Sequence, residues 1–234
     1  MALPKLNNAP KYEMVIPSIG KSVRYRPFLV KEEKNLMIAA ESGDNKIVFK
    51  ALVDTIKSCV DDDFDANKLT TFDVEYMFLQ LRSKSVGESS KIILPCSNCE
   101  ERNDVYINLD EIKIEMPEVN KVITLTDDIT ISVDYPAFSK ILETDLTDGS
   151  ADAAFALVRA CIKSINTEEE RIDVKDTSEE ELQNFLESMS TEQFEHIKTF
   201  IDSIPKLEHD VKFNCSSCSQ ENNIHVEGVA NFLS

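Results

Sequence analysis

The chain of 234 residues has no tryptophan, only five glycines, and a shortage of positive charge: 25 lysines and arginines stand against 43 aspartates and glutamates. Each scarcity excludes something. With so little glycine there is no Gly-rich loop to cradle a phosphate, no dinucleotide fingerprint and no Gly-x-Ser-x-Gly nucleophile elbow. A net charge of −18 repels nucleic-acid phosphates and anionic lipid, and the densest basic stretch, Lys21 to Lys34, is broken by apolar and acidic residues. Neither nucleic acid nor a membrane is an expected partner. No run nears the roughly 18–20 apolar residues that span a bilayer. The opening Met1-Ala-Leu-Pro-Lys-Leu-Asn-Asn8 lacks the apolar core of a secretion signal, so a cytosolic protein is expected. In that reducing compartment the six cysteines are read as thiols or metal ligands before disulfides. Apolar residues make up 42% of the chain, enough for one large core or two of domain size.

What is present is a motif written twice. Residues 92–109 run Ile-Ile-Leu-Pro-Cys96-Ser-Asn-Cys99-Glu-Glu-Arg-Asn-Asp-Val-Tyr-Ile-Asn-Leu, and residues 211–226 run Val-Lys-Phe-Asn-Cys215-Ser-Ser-Cys218-Ser-Gln-Glu-Asn-Asn-Ile-His-Val. Each is a β-rich run, a Cys-x-x-Cys, a polar turn and a second alternating run. This is the pattern of a zinc knuckle, a tight turn between strands that offers two thiolates to one metal. One knuckle supplies half of a tetrahedral site, so Cys96, Cys99, Cys215 and Cys218 are expected to share a single structural zinc. Two other readings stand beside it: disulfides or unligated thiols, and a redox pair. A redox Cys-x-x-Cys sits where a strand runs into a helix, whereas both pairs here sit between strands. A closed Cys₄ set leaves no open coordination position, which makes the metal a staple and not a catalyst.

Between the knuckles the order of elements repeats. A hairpin is expected over 11–30, with Met14-Val-Ile16 and Val23-Arg-Tyr25 flanking Pro17-Ser-Ile-Gly20. Apolar spacing predicts helices over 29–40, 45–60 and 71–85, the last stopped by Gly87. After the first knuckle comes a second hairpin, Val122 to Val133, then Tyr135-Pro136-Ala137-Phe138, which echoes Tyr25-Arg26-Pro27-Phe28. A short helix over 139–144 leads to Gly149, and a longer one is predicted from Ala151 to Ile165. Within it Ala156-Leu-Val158 and Ile162-Lys-Ser164 match Ala51-Leu-Val53 and Ile56-Lys-Ser58 with a one-residue slip. Two capping boxes, Ser178-x-x-Glu181 and Ser190-x-x-Gln193, open two more helices before Pro205 and the second knuckle. The fold class expected is α+β: two tandem related units, 1–117 and 118–234, joined at the shared Cys₄ zinc site.

Other candidate chemistry is weaker. Asp61-x-Asp63-x-Asp65 has Ala66 where a calcium loop needs glycine and Phe72 where it needs glutamate, so it reads as a solvated acidic loop. His196, His209 and His225 are scattered; His209 alone is near enough in sequence to Cys215 to be considered a substitute ligand. Cys59 and Cys161 fall on apolar helical faces and read as small core residues. No catalytic constellation emerges, and the chain is expected not to be an enzyme.

Two further stretches carry a likeness. Tyr25-Arg-Pro-Phe-Leu-Val-Lys-Glu-Glu-Lys-Asn-Leu-Met37, and Phe78-Leu-Gln-Leu-Arg-Ser-Lys-Ser-Val-Gly-Glu88 followed by Pro95-Cys96-x-x-Cys99, resemble the baseplate hub assembly proteins of T-even-like contractile-tailed phages, particularly those of marine and cyanobacterial phages. The likeness runs from about residue 11 to the second knuckle. It implies a non-enzymatic tail protein of the bacteriophage, an assembly chaperone or hub subunit that binds other baseplate hub proteins or the tape-measure protein. It would work in the host cytoplasm during assembly or in the virion baseplate. The competing reading, from the residues alone, is a zinc-stapled adaptor or regulator of host or phage machinery, which would need a basic face if it touched DNA.

Overall fold

A computed structural model describes residues 9–143 and 151–232, so the expectations at Thr144 and Gly149 lie outside the described residues. The described chain is α+β, with small antiparallel sheets and seven α-helices among the described residues. It divides into two compact units. The first holds residues up to Ala66, Phe72–Glu115 and Lys206–Ser234; the second holds Asn67–Thr71 and Met116–Pro205. The division expected at 117/118 puts the second knuckle in the second half. In the structure the segment from Lys206 onward belongs to the first unit, because its hairpin packs with residues of that unit.

In the first unit, β1 (Tyr12–Ile16) and β2 (Lys21–Tyr25) form the expected hairpin, with Met14, Ile16, Val23 and Tyr25 facing inward at alternate positions. Helices α1 (Val30–Glu41) and α2 (Asn45–Cys59) follow, then α3 (Thr71–Val86), which buries Phe72, Met77, Leu79 and Leu81. The first knuckle hairpin is β3 (Ser89–Pro95) with β4 (Arg102–Asn108). The two stretches that carry the family likeness meet here. The Phe28 amide donates to Ser85 Oγ at 2.8 Å, and the Phe28 and Phe78 rings stack with centroids 6.3 Å apart. Glu32 is 4% exposed yet charged: it accepts from Ser58 Oγ at 2.6 Å, Arg26 Nη2 at 3.0 Å and the Leu29 amide at 2.9 Å. One carboxylate thus ties the corner after β2 to the start of α1 and the end of α2.

In the second unit, β5 (Val122–Thr124), β6 (Thr130–Val133), β7 (Ile162–Asn166) and β8 (Arg171–Asp173) form one antiparallel sheet in that order. Around it lie α4 (Phe138–Glu143), α5 (Ala151–Cys161), α6 (Glu179–Glu187) and α7 (Thr191–Asp202). Both expected capping boxes form, Ser178 with Glu181 and Ser190 with Gln193. The helix expected to run to Ile165 stops at Cys161, and Ile162-Lys-Ser164 is a strand. The apolar spacing fits either element, and pairing decides: Ile131 faces Ile165 and Ser132 faces Ser164 across β6–β7. The match of Ile162-Lys-Ser164 to Ile56-Lys-Ser58, which is helical, therefore does not carry into three dimensions. A different echo does. In each unit a helix ends on a buried cysteine whose carbonyl accepts from the residue just after the second hairpin strand: Arg26 amide to Cys59 oxygen at 3.0 Å, Asp134 amide to Cys161 oxygen at 2.9 Å. The next residue pairs with that strand in both, Val60 with Tyr25 and Ile162 with Val133. Burial pushes the Cys59 thiol up to about 11 and the Cys161 thiol up to about 12, as expected of inert core cysteines.

Candidate metal centre

The second knuckle hairpin, β9 (Glu208–Asn214) with β10 (Glu221–Glu227), lies in the first unit with β3–β4, so all four knuckle cysteines meet there. Each turn is built the same way. The Cys96 amide donates to the Glu101 carbonyl at 2.9 Å and the Glu100 amide to the Cys96 carbonyl at 3.0 Å; Cys215 with Gln220, and Ser219 with Cys215, repeat these at 2.8 and 3.0 Å. The residue after the second cysteine is left-handed in both turns, with φ of 60° at Glu100 and at Ser219. That backbone costs a non-glycine residue roughly 1–2 kcal/mol, so both turns hold a strained shape that the surrounding bonds must maintain.

The sulfurs cross-pair between knuckles. Cys96 Sγ lies 3.7 Å from Cys218 Sγ, and Cys99 Sγ lies 3.6 Å from Cys215 Sγ. All four sulfurs are within 4.8 Å of one another. A disulfide needs about 2.05 Å, so these are four free thiols that are too far apart to be bonded. Four ligands at about 2.3 Å around a tetrahedral ion lie about 3.8 Å apart, close to the distances found here, so the set could hold one metal ion. Cys96 and Cys215 are buried, Cys99 and Cys218 exposed; each knuckle turns one thiol inward and one outward.

Around the sulfurs is a shell of donors that is itself duplicated. Asn222, buried on the second hairpin, accepts at Oδ1 from the Ser97 amide at 2.9 Å and Ser97 Oγ at 2.8 Å, while its Nδ2 points at Cys96 Sγ, 3.7 Å away. Asn103, buried on the first hairpin, accepts from the Ser216 amide at 2.8 Å and Ser216 Oγ at 3.0 Å, with Nδ2 at 3.8 Å from Cys215 Sγ. The Asn98 and Ser217 amides each lie 3.4 Å from the first sulfur of their own knuckle. Amides aimed at sulfur favour the thiolate. Those of Asn98 and Cys99, with Asn222, hold the Cys96 thiol down at about 6, and the Cys218 amide lowers Cys215 in the same way. Cys99 also receives an amide, that of Glu101. The neighbouring sulfurs of Cys218, Cys215 and Cys96, together with burial, outweigh it and push Cys99 up to about 12. A cluster with two depressed thiols and one raised is what crowding of negative charge produces, and a divalent cation at its centre would remove that repulsion.

The remaining candidates fall elsewhere. His209 is not part of the sulfur cluster. His225 lies exposed on β10, bonded to Asp210 at 2.9 Å and near Glu208 at 3.3 Å, and these carboxylates raise its pKa, Asp210 foremost. Glu208, His225 and Glu227 also bring their ligand atoms within 4.8 Å of one another, but all three are exposed and Lys206 already pairs with Glu227 at 3.0 Å. Asp61 and Asp62 are engaged by Lys11 and Arg24 at 2.8 and 2.9 Å, which makes the acidic loop a brace for the first hairpin. The two asparagines were legible as a repeat, each four residues after the second cysteine, but nothing in their spacing announced that they cross from one knuckle to the other.

No helix among the described residues is long and apolar enough to cross a membrane. No solved structure matches the chain. Among curated proteins, the baseplate hub assembly protein gp26 of Enterobacteria phage T4 is 26% identical over 223 residues, which span 95% of this chain and 98% of that protein. A family model described as T4 bacteriophage base plate protein matches residues 9–234, from the first hairpin through both knuckles. The chain belongs to the T4 bacteriophage base plate protein family.

Proposed function

We propose that this protein acts in assembly of the baseplate central hub of a contractile-tailed phage, by binding other tail proteins and without turning over a substrate. The observation that carries the reading is the extent of the match to the T4 hub assembly protein: nearly the whole of both chains aligns, so the likeness is of complete architecture and not of one shared module. The duplicated knuckle pair supports a structural part, since a closed metal site fixes shape and offers no position for a substrate. Cys96, Cys99, Cys215 and Cys218 would hold one zinc ion, which a four-thiolate tetrahedral set favours together with iron. The hairpin, closing cysteine and knuckle found twice also support descent from two tandem copies, the second of which returns its knuckle to the first unit.

Between assembly chaperone and permanent subunit, the reading favoured is assembly factor, with the hub or tape-measure components as partners. Removing the gene should stop tails before sheath is added while heads still fill with DNA, and a plasmid copy should restore them. Normal tails without the gene would overturn the reading. Peptide mass spectrometry of purified virions then separates the two roles, and zinc analysis of the purified protein should return one ion per chain.

A further inference from the structure

The two knuckles hold each other through the same bonds in both directions. In each, the serine after the first cysteine gives its amide and hydroxyl to the asparagine that follows the opposite knuckle's second cysteine, Ser97 to Asn222 and Ser216 to Asn103. The sulfurs obey the same rule, the first of each knuckle lying against the second of the other. A contact in which i meets j and j meets i is isologous, the kind that two copies of one protein make across a two-fold axis. Here it is made inside one chain, between two copies of one motif.

The segment that carries the second knuckle is a discrete element. Strands β9 and β10 pair with each other and with no third strand among the described residues. Its far end is anchored separately: the turn Val229–Phe232 packs on β3, Phe232 is buried, and the Val229 amide donates to Glu75 Oε1 on α3 at 3.3 Å. No sheet has to be broken to lift the segment off these sites and lay it on the same sites of a second copy. The hinge is short. Ser203 and Ile204 still bond to Phe200 and Ile201 of α7, and the Leu207 carbonyl already accepts from the Gly228 amide, which leaves Pro205 and Lys206 between them. The proline fixes one of the backbone angles there. Short hinges with little freedom invite exchange between copies.

We infer that the segment from Lys206 onward docks either on its own first unit, as in the closed chain described above, or on that of a second copy, so that the protein also forms an exchanged dimer. Each of the dimer's two four-cysteine sites would take Cys96 and Cys99 from one chain and Cys215 and Cys218 from the other. Every bond of the closed chain is kept. The two forms therefore differ at the hinge and in the entropy of association, and the dimer grows with concentration. The contact closes at two copies and does not extend into filaments. The pairing rests on the asparagine–serine bonds and is independent of the assembly role; only the ion in it rests on the zinc reading above.

The test uses two full-length variants, Cys96→Ser with Cys99→Ser in one and Cys215→Ser with Cys218→Ser in the other. Neither alone can bring a first and a second knuckle with four thiols together, whether closed or exchanged. Co-expressed, they should give a mixed dimer with one zinc by native mass spectrometry, while each expressed by itself carries none. A third variant keeps every ligand and anchor: the parent chain with Gly-Ser-Gly-Ser inserted after Pro205. Its longer hinge should turn the parent's dimer into monomer. Metal-free monomers from the mixture, where the parent holds zinc, overturn the exchange and leave the zinc reading standing. A parent without zinc overturns the zinc reading, and the hinge variant then decides alone. A parent that is monomeric at every concentration, or a dimer unmoved by the longer hinge, overturns the exchange.

Discussion

Asn103 on the first knuckle and Ser216 on the second are joined by two hydrogen bonds, at 2.8 Å to the backbone amide and 3.0 Å to the hydroxyl. Asn222 and Ser97 repeat the arrangement with the knuckles exchanged, at 2.9 and 2.8 Å. Each asparagine spends its carbonyl oxygen on the opposite turn; its amide nitrogen donates to a carbonyl of its own turn, Glu101 at 2.7 Å or Gln220 at 2.9 Å, and also faces the opposite turn's first sulfur. The two knuckles are therefore fastened to each other by protein groups as well as by any ion.

That arrangement separates two roles by substitution. Asn103→Ala leaves the Ser216 amide without its acceptor and should destabilise the protein by about 1–3 kcal/mol. Asn103→Asp keeps the acceptor but loses the donor to the Glu101 carbonyl and to Cys215, and adds a negative charge beside the thiolates. It should cost about 10–100-fold in zinc affinity, measured by competition with a chromophoric chelator. Equal affinity in the aspartate variant would show that the amide does not tune the sulfurs.

The cysteines should behave as one unit. Cys99→Ser and Cys218→Ser belong to different knuckles, and their sulfurs contribute to opposite pairs of the same cluster. Each should destabilise the protein by a similar amount in urea unfolding, and the double variant should be little worse than either, because a site lost once is not lost again. Additive losses would mean that each knuckle stands alone.

Glu32 supplies the clearest pH dependence. Burial by itself would raise its pKa, but hydrogen bonds from Ser58, Arg26 and the Leu29 amide overcome this and lower it from the ordinary 4.5 to about 2. A carboxylate depressed on folding adds stability above its unfolded pKa and loses it as the pH falls toward the folded one. The contribution, about 3 kcal/mol, should be complete at neutral pH and disappear between about pH 4.5 and 2. Glu32→Gln should therefore lose stability at pH 7, and its unfolding midpoint should converge with that of the parent by pH 2. A constant gap across that range would assign Glu32 a packing role only.

Much of this molecule was legible in sequence, and the exceptions have physical causes. Local signals sufficed where a side chain bonds its own neighbourhood: Ser178 and Ser190 with the residues three positions on set two helix starts, and Pro17 to Gly20 set the first turn. They failed at Ile162 to Ile165, where apolar spacing serves helix and strand alike and only the partner strand β6 decides. The brief strand Arg171–Asp173 was missed for the same reason, as it exists by pairing with β7. The cysteines announced a cluster because thiols in pairs have few other uses. Glu32 was invisible as a buried charge, since Arg26, the Leu29 amide and Ser58, which join neighbouring Lys31 in holding it, come from the corner after β2, the start of α1 and the end of α2.

The return of the second knuckle to the first unit makes a sharper claim than a staple between two equal halves. The 115 residues between Cys99 and Cys215 include the whole β5–β8 sheet, yet all four thiols lie in the first unit. A metal there would close a long loop, and by the relation used for disulfides of that span the constraint on the unfolded chain would be worth on the order of 4–5 kcal/mol. Its loss should be felt by the elements it holds. Chelation should therefore raise amide exchange first in β3, β4, β9 and β10, and next in the rest of the first unit. Protection in β5 to β8 should change little, because that sheet is built on Ile131, Val133, Ile162 and Ser164 and on ladder bonds of its own. Hydrogen exchange with mass spectrometry before and after zinc removal reads this directly. Equal loss of protection in β5 to β8 and in the knuckles would mean that the metal organises the two halves of the sequence, not the unit in which its ligands lie.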